Sequence, residues 1–391
     1  MTIDKNHDID YMYRAIELAK LGEGWTSPNP LVGAVIVKEE KILGEGYHHK
    51  YGCLHAERDA LKDCLEKGNN PEGSTMFVTL EPCCHHGKQP PCTEAIVEAG
   101  IKKVIVGSSD PNPLVAGKGV QFLREHNVEV ETDFLKDECD ALNPIFFHYI
   151  TKKLPFVALK YAMTMDGKIA TKSGKSQWIT NETSREFVHA LRHKYSAILA
   201  GIGTVLADDP MLNCRSEKIE NAKNPVRVIL DSNLRLPLES RIVQSAKDIK
   251  TIVACVSSNE TDFCSRAARL QEKGVIVWKF DPEENRATTP LACQAPTPNQ
   301  KPTPPIRQVF SRLATEEKID SILVEGGGQV NYSVLESGLV NKIYCFVAPK
   351  IFGGEAKSPV MGFGVENPSN SFNFKLEKTT ILDGDILLEY K

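Results

Sequence analysis

The sequence predicts an α/β protein of two domains, and three observations predict it. Its 391 residues are too many for a single domain of about 100–200 residues. Val-, Ile- and Leu-rich runs alternate with segments of helical spacing through both halves, the pattern of helices packed on a sheet. Between the halves, CDALNPIFFHYITKKLP carries a break at Asn143-Pro144 and a restart at Leu154-Pro155. The expected domains are therefore 1–150 and 151–391, and no repeat links them.

Each element follows from local pattern. Asp8–Leu21 has apolar residues at helical spacing, with Asp8 the expected N-cap and Gly22 the stop. SPNPLVGAVIV and ILGEGYH flank the charged turn KEEK and read as a hairpin. Helices are expected at His55–Lys67, Cys92–Ala99 and Gly117–His126, and strands at Thr75–Leu80, Lys103–Gly107 and Val128–Val130. In the second half FVALKYAM, AILAG, VRVILDS, TIVACVS, VIVWKF, SILVEGG and KIYCFVAP read as strands, with helices at Glu182–Tyr195 and Val330–Ser337. Asp281–Pro305 holds seven of the 23 prolines and almost no large apolar side chains, so it reads as a flexible insertion.

Composition excludes several function classes. A hydrophobic share of 41% and a charged share of 25% exclude a mainly disordered, collagen-like or coiled-coil chain. Lys+Arg 47 against Asp+Glu 51 gives a net charge of −4, an unsuitable average surface for a nucleic-acid partner. PFVALKYAM, among the longest apolar runs, is well short of the ~20 residues of a membrane span, so no membrane partner is expected. The start MTIDKNHDID lacks the basic flank and apolar core of a secretory signal, which makes the cytoplasm the expected location. Eleven cysteines, an odd number in a long chain, are expected to be reduced thiols. A homo-oligomer is compatible with all of this.

The chemistry of the first half concentrates in His55-Ala56-Glu57, Glu81-Pro82-Cys83 and Pro90-Pro91-Cys92. Two thiolates and an imidazole satisfy three corners of a tetrahedral zinc and leave the fourth for water. Zinc so held lowers the pKa of that water toward ~7, and Glu57, two residues after His55, is suited to move its proton without ligating the metal. The competing reading is a structural zinc, whose fourth ligand would come from Cys53, Cys84, His85 or His86. Cys53, Cys64, Cys139, Cys214, Cys255, Cys264, Cys293 and Cys345 are read as structural or incidental thiols.

SPNPLVGAVIV, HAE and TLEPCCHHGKQPPC together resemble the bifunctional deaminase–reductases of riboflavin biosynthesis. Cytosine and tRNA-adenosine deaminases have PCxxC, whereas eight residues separate Cys83 from Cys92 here, as in the riboflavin enzymes. The resemblance implies a cytidine-deaminase-like α/β/α sandwich, with His85 and Lys88 holding the ribose phosphate and Asn29 hydrogen-bonding the pyrimidine. A point cation and a neighbouring donor suit a phosphate, and a planar amide suits a base edge. Cys84 is a departure, because the family usually has Ser there; Cys83, directly after Pro82, is the expected ligand.

In the second half, VEGGG ends a predicted strand and leads into a helix, so backbone N–H groups there could approach a pyrophosphate. Gly201-Ile202-Gly203 is an equally weak signal of a nucleotide loop, with a tight turn as its rival reading. The order KYAMTMDGKIA, SGKSQWIT, AGIGTVLADDPMLNCR, VILDS and ILVEGGG is similar to the riboflavin reductases and implies a dihydrofolate-reductase-like α/β domain. By that resemblance NADPH meets Lys160, Ala162, Trp178, Thr204, Asp208, Ser232, Gly327, Gly328, Gln329, Val330, Asn331, Tyr332 and Ser333. Substrate meets Ser176, Arg192, Leu212, Arg215 and Glu325, with the two arginines suited to a phosphate and Glu325 to orient or protonate the opening sugar. Packing is the rival reading for Trp178, and surface ion pairing for Arg192.

The expectation is a fused enzyme with zinc and NADPH as cofactors and a small phosphoribosyl pyrimidine as substrate. Glu57 is its expected catalytic acid–base. The rival functions are a nucleoside or nucleic-acid deaminase, and a folate-type reductase carrying a non-catalytic zinc domain.

Overall fold

The structure, a computed structural model, describes residues 5–86, 90–112, 115–258, 260–281 and 303–391. Lys88 and residues 282–302 of the expected insertion lie outside the described residues. The chain forms two compact units, Met1–Lys153 and Leu154–Lys391.

The first unit comprises α1 (Lys5–Lys20), β1 (Gly33–Lys38), β2 (Lys41–Tyr47), α2 (Ala56–Glu66), β3 (Thr75–Leu80), α3 (Cys92–Glu98), β4 (Lys103–Ser108), α4 (Lys118–Glu125), β5 (Glu129–Glu131), α5 (Lys136–Asp140) and α6 (Pro144–Lys152). Its five strands run in the order β2-β1-β3-β4-β5. The first two pairings are antiparallel and the last two parallel. Successive side chains of a strand point to opposite faces, so a strand covered on both sides is apolar throughout. Ala34, Ile36, Met76, Val78, Val104 and Val106 accordingly pack against α2, α3 and α4. Val35, Val37, Phe77 and Ile105 pack against α1 and Cys139 of α5. The result is the expected α/β/α sandwich.

The β1–β2 turn is made by Glu39 and Glu40, both left-handed with φ of 49° and 62°, the backbone of a type I′ hairpin without its usual Asn-Gly. Gly44 and Gly46 in β2 let α2 lie directly on the strand. A Cβ at Gly46 would sit 2.2 Å from the Ala60 nitrogen. The N–H groups of Glu45 and Tyr47 donate to Asp63 and Asp59 of α2, at 2.8 and 3.2 Å, which covers the edge strand.

The second unit comprises β6 (Phe156–Thr164), α7 (Glu182–Lys194), β7 (Ala197–Gly201), α8 (Ile202–Asp208), β8 (Val226–Leu230), α9 (Arg241–Gln244), β9 (Thr251–Val256), α10 (Thr261–Glu272), β10 (Ile276–Phe280), α11 (Ile306–Glu316), β11 (Ser321–Val324), α12 (Gly328–Glu336), β12 (Val340–Ala348), β13 (Leu376–Leu382) and β14 (Asp385–Tyr390). The nine strands run β10-β9-β8-β7-β11-β6-β12-β14-β13. All are parallel from β10 to β12, and β14 and β13 close the edge antiparallel. Helices α11 and α12 cover one face and α8, α9 and α10 the other.

Three expectations are corrected. Helix α1 is already formed at Lys5, the first described residue, so Asp8 lies within the helix rather than at its N-cap. The joining stretch is itself helical, because Pro144 at the first position of α6 has the φ a helix start needs. Gly201-Ile202-Gly203 is a strand end running into α8, not merely a turn. The β13–β14 hairpin turns on Asp383 and Gly384, with φ of 50° and 93°; this Asp-Gly pair was the signal that could have revealed it.

Replacing Gly46 with Ala is expected to destabilise the N-terminal unit by about 1–3 kcal/mol through overpacking against α2. Urea denaturation of the full chain reads this as a lowered unfolding midpoint. An unchanged midpoint would mean that α2 does not approach β2 so closely.

Candidate functional sites

In the N-terminal unit, two helix starts and one strand end meet. His55 is the N-cap of α2 with φ −74° and ψ 161° and makes no side-chain capping bond, which leaves the imidazole for other work. Cys83 lies just beyond β3, and Cys92 opens α3. His55 Nδ1 is 3.5 Å from the Cys83 sulfur and 3.4 Å from that of Cys92. All three donor atoms lie within 4.8 Å of one another. A tetrahedral zinc with ordinary Zn–S and Zn–N bonds has ligand–ligand edges of roughly 3.6 Å, so the donor set fits that metal. Among the described residues no further His, Cys, Asp or Glu joins the group. Cys53, Cys84, His85 and His86 stand outside it.

The Cys92 thiol and then His55 hold Cys83 down at about 4 despite burial. Cys92 is pushed up by the same partner and by burial. Glu57, in the first turn of α2, is 3% exposed. Burial, then the negative charge on Cys83, raises its carboxyl.

Asn29 follows the Ser27–Pro28 bond, and its amide donates to His48 Nε2 at 3.2 Å. His48 Nδ1 is 2.9 Å from the Leu54 carbonyl. A carbonyl only accepts, so Nδ1 carries the proton and Nε2 is free to accept from Asn29. Burial lowers the His48 pKa and favours that neutral ring. His85 Nδ1 is buried with no hydrogen-bond partner among the described residues, a costly state for a polar atom unless a ligand supplies one.

In the second unit the expected residues gather at the carboxyl ends of four adjacent parallel strands, β8, β7, β11 and β6, where open α/β sheets bind ligands. Lys160 and Ala162 lie on β6, Thr204 and Asp208 on α8, and Ser232 just beyond β8. Gly327 caps α12, and Gly328 to Ser333 form its first turns. Glu325 follows β11 and accepts both Arg192 Nε at 2.7 Å and Arg192 Nη2 at 2.9 Å. Lys160 Nζ is 3.5 Å from the same carboxylate. Burial pushes Glu325 up, but Arg192 and Lys160 override it and hold it at about 2. Burial lowers the Lys160 ammonium. Ser176 Oγ donates to Asp208 at 3.1 Å.

The family model of the RibD C-terminal domain matches residues 155–388. That of the cytidine and deoxycytidylate deaminase zinc-binding region matches residues 5–108. The riboflavin biosynthesis protein RibD of Actinobacillus pleuropneumoniae is 50% identical over 384 residues, 98% of this chain and 95% of that protein. The chain belongs to the RibD family. The Escherichia coli RibD is 35% identical over 388 residues, covering 97% of each chain. The solved Acinetobacter baumannii RibD superimposes with a TM-score of 0.84 at 36% identity, covering 99% of each chain. A Thermotoga maritima deaminase/reductase does so with 0.82 at 38%, again over 99% of each. This RibD-family chain is thus a bifunctional enzyme of riboflavin biosynthesis, a zinc-binding deaminase domain fused to an NADPH-dependent reductase domain.

Within this RibD-family enzyme several expected contacts are narrowed. Trp178 is 62% exposed, so it is not core packing; the Arg185 guanidinium covers its ring at 4.7 Å. Arg192 is no surface ion pair, since its side chain is 14% exposed against a Glu325 of 9%. Leu212 is buried in the core under α8 and α9, which leaves only its backbone, left-handed at φ 47°, for a ligand. Val330 packs beneath Gly201 and Gly326, and the buried Asn331 donates to the Pro359 carbonyl at 2.7 Å. Val330 therefore offers a nucleotide only backbone, whereas the buried Asn331 Oδ1 has no hydrogen-bond partner among the described residues. Glu325, ionised at neutral pH, can orient a sugar but has no proton to give.

The roles of three residues escaped the sequence reading. His48 orients Asn29, and no local pattern distinguishes it from His49. Glu81 accepts the N–H groups of Gly117, Gly119 and Val120 at 3.0, 3.1 and 3.2 Å, which caps α4 from a distance. Arg227 is fully buried and donates to Thr251, Ser245 and the carbonyls of Met211, Ile242 and Ile249. It thereby anchors the chain just before Leu212, and burial brings its pKa down to about 10.

Because Glu325 binds its proton more weakly folded than unfolded, its stabilisation is complete above about pH 4.5 and is lost as pH falls toward about 2. The stability difference between wild type and Glu325→Gln is expected to shrink over that acid range. Urea titrations at a series of pH values measure it; a constant difference would contradict the depressed carboxyl.

Proposed function

We propose that the N-terminal domain hydrolytically removes the C2 amine of 2,5-diamino-6-ribosylamino-4(3H)-pyrimidinone 5′-phosphate. The C-terminal domain then reduces the ribosyl to the ribityl chain, giving 5-amino-6-ribitylamino-uracil 5′-phosphate. The observation that carries this is the three-donor cluster with a buried carboxylate beside it, on one chain with a strand-end cleft. The Thermotoga maritima protein is named for the corresponding deaminase and reductase steps, which supports the same substrates here.

His55, Cys83 and Cys92 would hold zinc, which would supply the Lewis acidity that makes water nucleophilic at neutral pH. Glu57 takes the water proton on a carboxylate oxygen and hands it to the departing ammonia. Its burial suits a group that must carry a proton. Asn29, held by His48, presents its amide to the pyrimidine edge, and His85 and Lys88 receive the phosphate.

Ala162, Trp178, Thr204, Asp208, Ser232 and the Gly327–Ser333 turn would hold NADPH, which would supply the hydride needed at C1′. Glu325 orients the sugar. The ammonium in contact with it, Lys160, is the neighbour able to give a proton to the ring oxygen as the sugar opens. Arg192, Arg215 and the Leu212 backbone hold the other end, with Ser176 beside them.

We place the enzyme in the cytoplasm, where the ligand thiols stay reduced. A free phosphoribosyl pyrimidine, rather than nucleic acid, suits a chain of net charge −4 with a reductase attached. Self-association of the reductase domain is supported by exposed apolar side chains. Phe363, Ile381 and Ile386 are 72%, 77% and 41% exposed, the last two on β13 and β14. Ile381→Glu is expected to lower the oligomer mass in sedimentation equilibrium; a mass unchanged by the variant excludes this edge.

The central test follows ammonia release and NADPH oxidation separately. Ammonia release without cofactor, and NADPH oxidation only with deaminated substrate, are expected. Glu57→Gln should lower ammonia release on the order of a thousandfold while bound zinc and the reductase rate stay unchanged. Undiminished release with zinc bound would remove Glu57 from the mechanism.

A further inference from the structure

The geometry points to His189 as a positioning residue of the reductase site, whose Nδ1, acting only as an acceptor, fixes the backbone that presents Arg215 beside Arg192. His189 precedes Arg192 by one turn of α7, on the same helix face. The Arg215 N–H donates to His189 Nδ1 at 3.2 Å. The Cys214 thiol donates to the His189 carbonyl at 3.1 Å, and Arg192 Nη1 to the Asn213 carbonyl at 3.2 Å. Three successive residues, 213 to 215, are thus tied to α7. Arg215 also turns its own guanidinium onto the Asn213 side chain.

A backbone N–H can only donate, so His189 Nδ1 must be unprotonated and the ring proton must sit on Nε2. The surroundings favour that form. Burial, then the charges of Arg192 on the same helix and Arg215 on the tied segment, outweigh Glu186 of α7 and Glu325 at the end of β11, and bring His189 to about 4. The two cations suited to a phosphate therefore keep the imidazole in the state that aims one of them. An apolar side chain at 189 would leave the Arg215 N–H without its acceptor and free the segment to drift. Asparagine places a carbonyl oxygen where Nδ1 stands and can take the bond over.

This rests on the reading of Arg192 and Arg215 as the phosphate-binding pair, and the test separates the two. NADPH oxidation by the full-length holoenzyme is measured with the deaminated phosphoribosyl substrate and with its dephosphorylated counterpart. His189→Leu is expected to raise KM for the phosphorylated substrate about tenfold, with kcat within about twofold and KM for the dephosphorylated one unchanged. His189→Asn should recover most of the loss. Ammonia release and NADPH affinity report on folding of each variant. An unchanged KM in His189→Leu, or an Asn variant as impaired as the Leu one, overturns the positioning role. Arg215→Gln with an unchanged KM would overturn the phosphate reading beneath it. Nitrogen-15 NMR of histidine in the wild-type enzyme gives a variant-free check: Nδ1 of His189 should be unprotonated at neutral pH, and a proton there refutes the proposal.

Discussion

A strand covered by helices on both faces is open to a ligand only at its ends, and both sites follow from that constraint. In the first unit β3 leads to Cys83, while α2 and α3, packed on the same face, begin at His55 and Cys92. In the second unit the carboxyl ends of β8, β7, β11 and β6 stand side by side. The glycines at 201, 326 and 328 keep the loops there tight, since a Cβ at any of them would meet a neighbouring atom within 2.7 Å. The core that stabilises each sheet therefore also decides where chemistry can occur.

Two buried carboxylates show how differently such an edge can tune one group. Burial and then the charge on Cys83 raise the Glu57 carboxyl. Glu325 is just as enclosed but faces Arg192 and Lys160, and it stays an anion. The first environment suits a group that carries protons, the second a group that fixes geometry. Burial alone would have predicted the same behaviour for both.

The positioning residues form a layer behind these groups. His48 holds Asn29, Glu81 pins α4, and Arg227 anchors the approach to Leu212 and Arg215. His48 also meets the His55 ring edge-on, with centroids 5.3 Å apart, and each of the three removes a degree of freedom from the segment it holds. Arg227 does so from full burial, with partners on β9, on and after α9, and in the Met211 loop. Such a cation is tolerated only because its donors find acceptors.

The sequence by itself determined the fold class, the order of most elements and the three residues that meet in the His-Cys-Cys cluster. These depend on pattern along the chain: continuous apolar runs such as AVIV and MFV bounded by glycine or polar residues, and a His-x-Glu ahead of two Pro-Cys steps. Resemblance to a family supplied candidate positions but not orientations. Only the tertiary structure decided that Leu212 and Val330 point inward, that Trp178 is exposed, and that Glu325 is locked to an arginine 133 residues away. That pairing exists because β11 lies between β7 and β6, with α7 running into β7. Strand adjacency is settled by the packing of the whole sheet, so no local pattern encodes it.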